Sequence, residues 1–216
     1  MSDKAAVFID GGYLQKVTEA FSDNTNPSYT LIPRIDFKLL SDVVCPPSKA
    51  ERFRTYFYDC PAYQSSPPTD EERKRVASQE RYFHALNELP RFEVRQGKLN
   101  KIPSPDGGVD FQQKGVDVLL SLDLAKLAWN KHIHRAILLT GDSDFVPAVE
   151  EAKAAGIIIE VYYCKRGTCR IHDRLYQKCD ERYEIDADFI KRVKSGDYRK
   201  LKSNLVPTGK GRFETP

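Results

Sequence analysis

The chain has 216 residues, 40% of them hydrophobic, enough for one substantial core but not for two full domains. Its net charge of +3, with a pI near 8.5, is too mild to demand a polyanionic partner by itself. The opening MSDKAAVFID lacks a signal-peptide core, nothing later is long enough to span a membrane, and five cysteines, an odd number, argue against a disulfide framework.

These features predict a cytoplasmic protein with reduced thiols. In chain order, residues 5–9 form an apolar run closed by Asp-Gly-Gly, a buried strand ending in a tight turn. A helix follows over 13–21, where Leu14, Val17 and Phe21 recur at helical steps. Residues 23–33 are polar and end at a proline, which predicts a loop. Asp36 has the character of an N-cap for a helix that stops before Pro46 and Pro47. Residues 53–58 alternate and are rich in aromatics, a strand pattern. The charged stretch 69–89 predicts an amphipathic helix with a wide solvated face. A strand at 92–95 and a loop at 100–108 come next.

Helix resumes at 115 or 116 and runs to about Trp129, carrying Val118, Leu119, Leu122, Leu124 and Leu127. Residues 136–139 are apolar throughout, as in a buried parallel strand. A helix over 145–155 closes at Gly156, and another buried strand covers 157–163. Two short helices near 171–178 and 187–193 bracket a last strand at 182–185. Strands alternating with helices predict an α/β three-layer sandwich on a mostly parallel sheet. The compact domain is expected over residues 4–195. A basic tail, 196–216, is expected to be poorly ordered.

Four aspartates fall where strands should end or helices begin. They are Asp10 in VFIDGGYL, Asp117 in KGVDVLL, and Asp142 and Asp144 in LLTGDSDF. Each has a structural explanation: a cap for Asp10, a first-turn position for Asp117, ordinary loop-to-helix chemistry for the last two. Together they say more. Ligand sites of open α/β sheets form outside the carboxyl ends of the strands, and parallel strands that are neighbours would bring Asp10 and Asp142 close together. Carboxylates that close repel unless a cation or a shared proton intervenes. The pattern points to Mg²⁺ or Mn²⁺ and to chemistry on phosphate esters.

Lys114, three residues before Asp117, is a candidate for offsetting phosphate charge, or else a solvated lysine. Asp123 falls far around the helix from Asp117 and is read as packing. Other phosphate chemistries fit less well. An aspartyl-nucleophile phosphotransferase needs a second Asp at position 12, which is Gly. Topoisomerase-primase domains place Glu after the first strand. Asp-Gly-Gly-Tyr is not a dinucleotide-binding G-x-G-x-x-G, so no organic cofactor is expected.

On FIDGGYL, KGVDVLLSLDL and TGDSDFVPAVEEAKAAG, in that order, the chain resembles the NYN domain family of PIN-like nucleases, in its LabA-like branch. The resemblance covers about residues 4–195 and is looser over 60–108. It implies an Mg²⁺- or Mn²⁺-dependent ribonuclease, cutting within single-stranded RNA through a carboxylate cluster. The family's acidic residues fall on Asp10, Asp117, Asp142 and Asp144. Many members carry Asn three residues after the first Asp, where this chain has Tyr13. That tyrosine would then position RNA by stacking. The alternative function is a catalytically weak RNA-binding or adaptor protein that retains the acidic pocket.

Three further groups of residues carry binding chemistry. Cys164, Cys169, His172 and Cys179 supply the elements of a Cys₃His zinc site, but their C-x4-C-x2-H-x6-C spacing matches no known finger, and a buried cysteine is the favoured reading. His132 and His134 read as surface or helix C-cap residues. Tyr56, Tyr58, Tyr63 and Tyr82, with Arg73, Arg75 and Arg81, would suit single-stranded RNA, although strand aromatics more often face a core.

Overall fold

The computed structural model describes residues 3–23, 29–103 and 109–202. Its centre is set by three short apolar runs: β1 (Lys4–Asp10), β7 (Arg135–Leu139) and β8 (Ile158–Tyr163), each buried along most of its length. Strands covered on both faces carry such continuous apolar sequence. They join β3 (Glu51–Asp59), β4 (Phe92–Gln96) and β9 (Glu181–Glu184) in a six-stranded sheet of order β4-β3-β1-β7-β8-β9. Every pairing in it is parallel.

Side chains of β1 alternate between two cores. Ala6 and Phe8 join the layer under α4 (Val116–Trp129), α5 (Val146–Ala154) and α6 (Asp173–Lys178). Ala5, Val7 and Ile9 join the layer under α1 (Gly11–Ala20), α2 (Phe37–Val44), α3 (Asp70–Asn87) and α7 (Ala187–Val193). The expected three-layer α/β sandwich therefore forms. Local signals start its helices. The Asp36 carboxylate accepts from Leu39 N–H at 2.9 Å, and Thr69 with Glu72 makes a reciprocal capping box. Gly115, which precedes α4 without a side-chain cap, has φ +87°, a left-handed backbone that glycine adopts at no steric cost.

Three expectations change. Within 23–33, expected as a loop, lies the start of β2 (Tyr29–Ile35), which pairs antiparallel with β10 (Lys194–Lys202). The boundary expected at Ser195 thus falls inside a strand. The loop expected at 100–108 contains parts of an antiparallel hairpin, β5 (Lys98–Pro103) with β6 (Val109–Lys114). Both ribbons lie outside the main sheet; β5, β6 and β10 are rich in polar residues and β2 is broken by Pro33, so none has the long apolar run that marks a buried strand. Residues 24–28, 104–108 and 203–216 lie outside the described residues.

Candidate active site

The strand order fixes where a ligand can bind. From β1 the chain builds outward through β3 and β4, then returns to place β7 on the other side of β1. The gap between β1 and β7 is a topological switch point, the usual ligand crevice of an open α/β sheet. The two strands pair in parallel through Ile9↔Leu139, so Asp10 and the 140–142 turn leave the sheet side by side.

Asp10 is held from two directions. Its Oδ1 accepts from Tyr13 N–H at 3.1 Å, capping α1, and its Oδ2 accepts from the Thr140 hydroxyl at 3.1 Å. Burial raises its carboxyl above the usual range, against the two hydrogen bonds, and the negative charge of Asp117 adds to the rise. Asp117 sits in the first turn of α4. Its carboxyl is also raised, first by partial burial in the cleft and then by the charges of Asp142 and Asp144. Asp142 caps the 3₁₀ turn Ser143–Phe145 by accepting from Asp144 N–H at 3.0 Å.

Asp10, Asp117 and Asp142 line one cleft of about 560 Å³, with Gly12, Tyr13 and Lys16 from α1. Asp144 is exposed and bears on this cluster through its charge on Asp117, without lining the cleft.

Glycine permits the close packing here. A Cβ on Gly141 would come 2.5 Å from the ring of Tyr13. Tyr13 itself is only 6% exposed, and its hydroxyl accepts from Cys164 N–H at 2.8 Å. A ring so enclosed offers no face for a base to stack on, so the stacking role expected of Tyr13 does not fit; it is part of the wall. Lys114 is exposed at the end of β6 and does not line the cleft.

Two functional candidates escaped the sequence reading. Asp59 ends β3 beside Asp10, its carboxyl pushed up to about 6 by burial and by the Asp10 charge, while Cys60 N–H donates to it at 2.7 Å. An acid after an aromatic strand is the same signal that marked Asp10. Lys16 carries a weaker signal, one helical turn beyond Gly12.

The donor chemistry suits a hard divalent ion, since all four expected ligands are carboxylates. Among the described residues, however, no three His, Cys, Asp or Glu side chains stand close enough to hold one unaided. Mg²⁺ tolerates this. It commonly takes one or two carboxylates and fills its shell with water and substrate oxygens.

The other groups resolve structurally. Cys164 and Cys169 form a disulfide with Cα atoms 5.6 Å apart, whereas Cys45, Cys60 and Cys179 are free and buried. That local bridge departs from the expectation that all the thiols are reduced. Cys179 packs in the opposite core layer from Cys164 and Cys169, which excludes the Cys₃His zinc site. Tyr56 and Tyr58 are core residues, and Asp123 accepts from the Tyr58 hydroxyl at 3.0 Å and Arg95 Nε at 3.1 Å, a packing role. His132 packs near Phe53, and His134 Nδ1 accepts from Lys4 N–H at 3.0 Å.

The NYN domain family matches residues 4–186, most of the chain. The protein belongs to the NYN domain family. No curated protein matches it. NYN domains are grouped with the PIN-like ribonucleases, which generally depend on metal ions. No helix among the described residues of this NYN protein is long and apolar enough to cross a membrane.

Proposed function

We propose that this NYN protein, of the LabA-like branch, is an Mg²⁺- or Mn²⁺-dependent ribonuclease that hydrolyses phosphodiester bonds within single-stranded RNA. The observation that carries the reading is the convergence of Asp10, Asp117 and Asp142 on one cleft, to which β1, α4 and the turn after β7 bring them, with Asp144 two residues beyond Asp142. Like charges gathered at a switch point cost stability, and a cation explains the cost.

Asp10 and Asp142 would hold the ion directly, with Asp117 and Asp144 joining through water. When bound, such an ion polarises a phosphoryl oxygen and acidifies a water. The protein's own groups do the positioning. Tyr13 N–H and Thr140 Oγ1 fix the plane of the Asp10 carboxylate, leaving its remaining lone pairs for ligands. Asp117, the carboxylate most exposed to its neighbours' charge, is suited to take the proton of an attacking water.

The test is incubation of labelled single-stranded RNA with Mn²⁺, with and without chelator, for wild type and Asp142→Asn. Metal-dependent cutting that the variant lacks supports the assignment. A second reading, an RNA-binding adaptor with little turnover, draws on the open spacing of the carboxylates and on Tyr13 in place of Asn. Binding without cleavage across several metals would select it.

A further inference from the structure

The acidic cleft also has a cationic end. On α1, Gly12 and Lys16 are four residues apart, hence on one helix face, and both line the cleft. Thr168, Arg170 and His172 line it from the segment after β8. That segment is firmly held. Ile171 N–H donates to Cys164 O at 3.1 Å, His172 N–H to Gly141 O at 2.9 Å, and Cys164 N–H to Tyr13 at 2.8 Å. The Arg166 guanidinium also lies over the ring of Phe21, at the end of α1, 4.2 Å from its centre.

The donors on this wall are under-used. Among the described residues Lys16 makes no hydrogen bond or ion pair, and its charge acts on Asp10. Arg170 has one loose, exposed contact, with Asp173 at 3.7 Å, and such pairs contribute little. His172 Nδ1 accepts from Arg174 N–H at 3.2 Å, so the neutral ring carries its proton on Nε2. Anions would be repelled by Asp10, Asp117 and Asp142 but attracted at this end, where Lys16 and Arg170 outnumber the single carboxylate of Asp173.

We propose that Lys16, Arg170 and the Nε2–H of His172 form a phosphate subsite beside the carboxylates, which grips a phosphate neighbouring the one to be cut. The identity of the ligand as an RNA strand rests on the function proposed above. The ligand class follows: a strand with successive phosphates, because a phosphomonoester or cyclic mononucleotide would occupy one position only.

Fluorescence anisotropy with labelled single-stranded RNA in EDTA reads this subsite without catalysis. Lys16 and Arg170 are exposed, so Lys16→Gln/Arg170→Gln should fold normally. The double variant should bind about tenfold more weakly, and its slope of log affinity against log salt should shrink by about 1.4, for two lost contacts on a single strand. A strand with neutral methylphosphonate linkages should bind wild type and double variant alike. Equal affinity and equal salt slope for the two proteins on ordinary RNA overturns the subsite, as does a wild type that fails to bind RNA at low salt. If binding depends on Lys16 and Arg170 but no RNA is cut in any metal, the subsite stands and the nuclease reading falls.

Discussion

The hydroxyl of Tyr13 accepts a hydrogen bond from Cys164 N–H at 2.8 Å, joining helix α1 to the end of β8 across the candidate site. Tyr13 also donates its own backbone N–H to Asp10 and packs its ring on Gly141. One residue thus sets the first carboxylate, the turn before Asp142 and the segment bearing Arg170 and His172.

Tyr13→Phe should therefore cost about 1–3 kcal/mol in urea unfolding, since it leaves a buried N–H without its acceptor. Tyr13→Asn should cost more, about 3–5 kcal/mol, because it also opens a cavity. An Asn variant that is as stable as wild type and cuts RNA faster would show that Tyr13 is a catalytic departure and not a wall.

A second prediction concerns the sheet. Glu160, with no exposed surface, accepts from Lys49 at 2.5 Å and from Arg135 at 2.8 Å. Glu160→Ala removes one of the two carboxylates that Lys49 and Arg135 share, leaving Glu181 to both, and should lower stability by about 1–3 kcal/mol. Glu160 pairs with Ile137 in mid-strand, away from the ends that carry the cleft. Cleavage below the melting point should thus be unchanged; a selective loss of activity would mean that the network reaches the site.

Much of this was legible in the sequence, for reasons that also explain the gaps. β1, β7 and β8 are apolar throughout, and Asp10 and Asp142 break that pattern, so both the strands and their acidic ends stand out. α4 is apolar around nearly its whole circumference. Nothing in the spacing reveals that Val118, Leu122 and Trp129 face outward, each about 60% exposed. Tyr13 read as a free aromatic because its acceptor role depends on a backbone N–H far along the chain, which no local pattern encodes. Asp59 follows its strand as Asp10 does, but the aromatic alternation that marks that strand ends at Tyr58, one residue short of it.

Asp59 yields a prediction about pH. Its carboxyl titrates near 3.8 when unperturbed and is pushed up to about 6 in the fold. The folded chain therefore binds more protons between those values, and this contribution to stability is greatest at low pH and is lost as pH rises through about 6. Asp59→Asn keeps an acceptor for Cys60 N–H and removes the charge. It should be more stable than wild type by up to about 2–3 kcal/mol near neutral pH. The advantage should shrink to well under about 1 kcal/mol near pH 4 and vanish by about pH 3, below the unperturbed value, where the aspartate is protonated in both states. Urea melts near neutral pH and at about pH 3 decide the matter, and an advantage that persists in acid would refute the linkage.

Asp142→Asn tests the candidate active site most directly. An asparagine can still accept from Asp144 N–H, so the cap at the turn survives. Losing the charge relieves its repulsion on Asp117, and the variant should melt at or above wild type. Cleavage of single-stranded RNA in Mn²⁺ should nevertheless fall by about a hundredfold or more, the scale on which electrostatic groups aimed at a reacting centre contribute. RNA affinity in EDTA should hold or rise, since a negative charge facing the strand is gone. Calorimetry on Asp10→Asn should in parallel show weakened Mn²⁺ binding. If Asp142→Asn melts earlier than wild type while cutting RNA at the wild-type rate, the aspartates are structural caps and the site lies elsewhere.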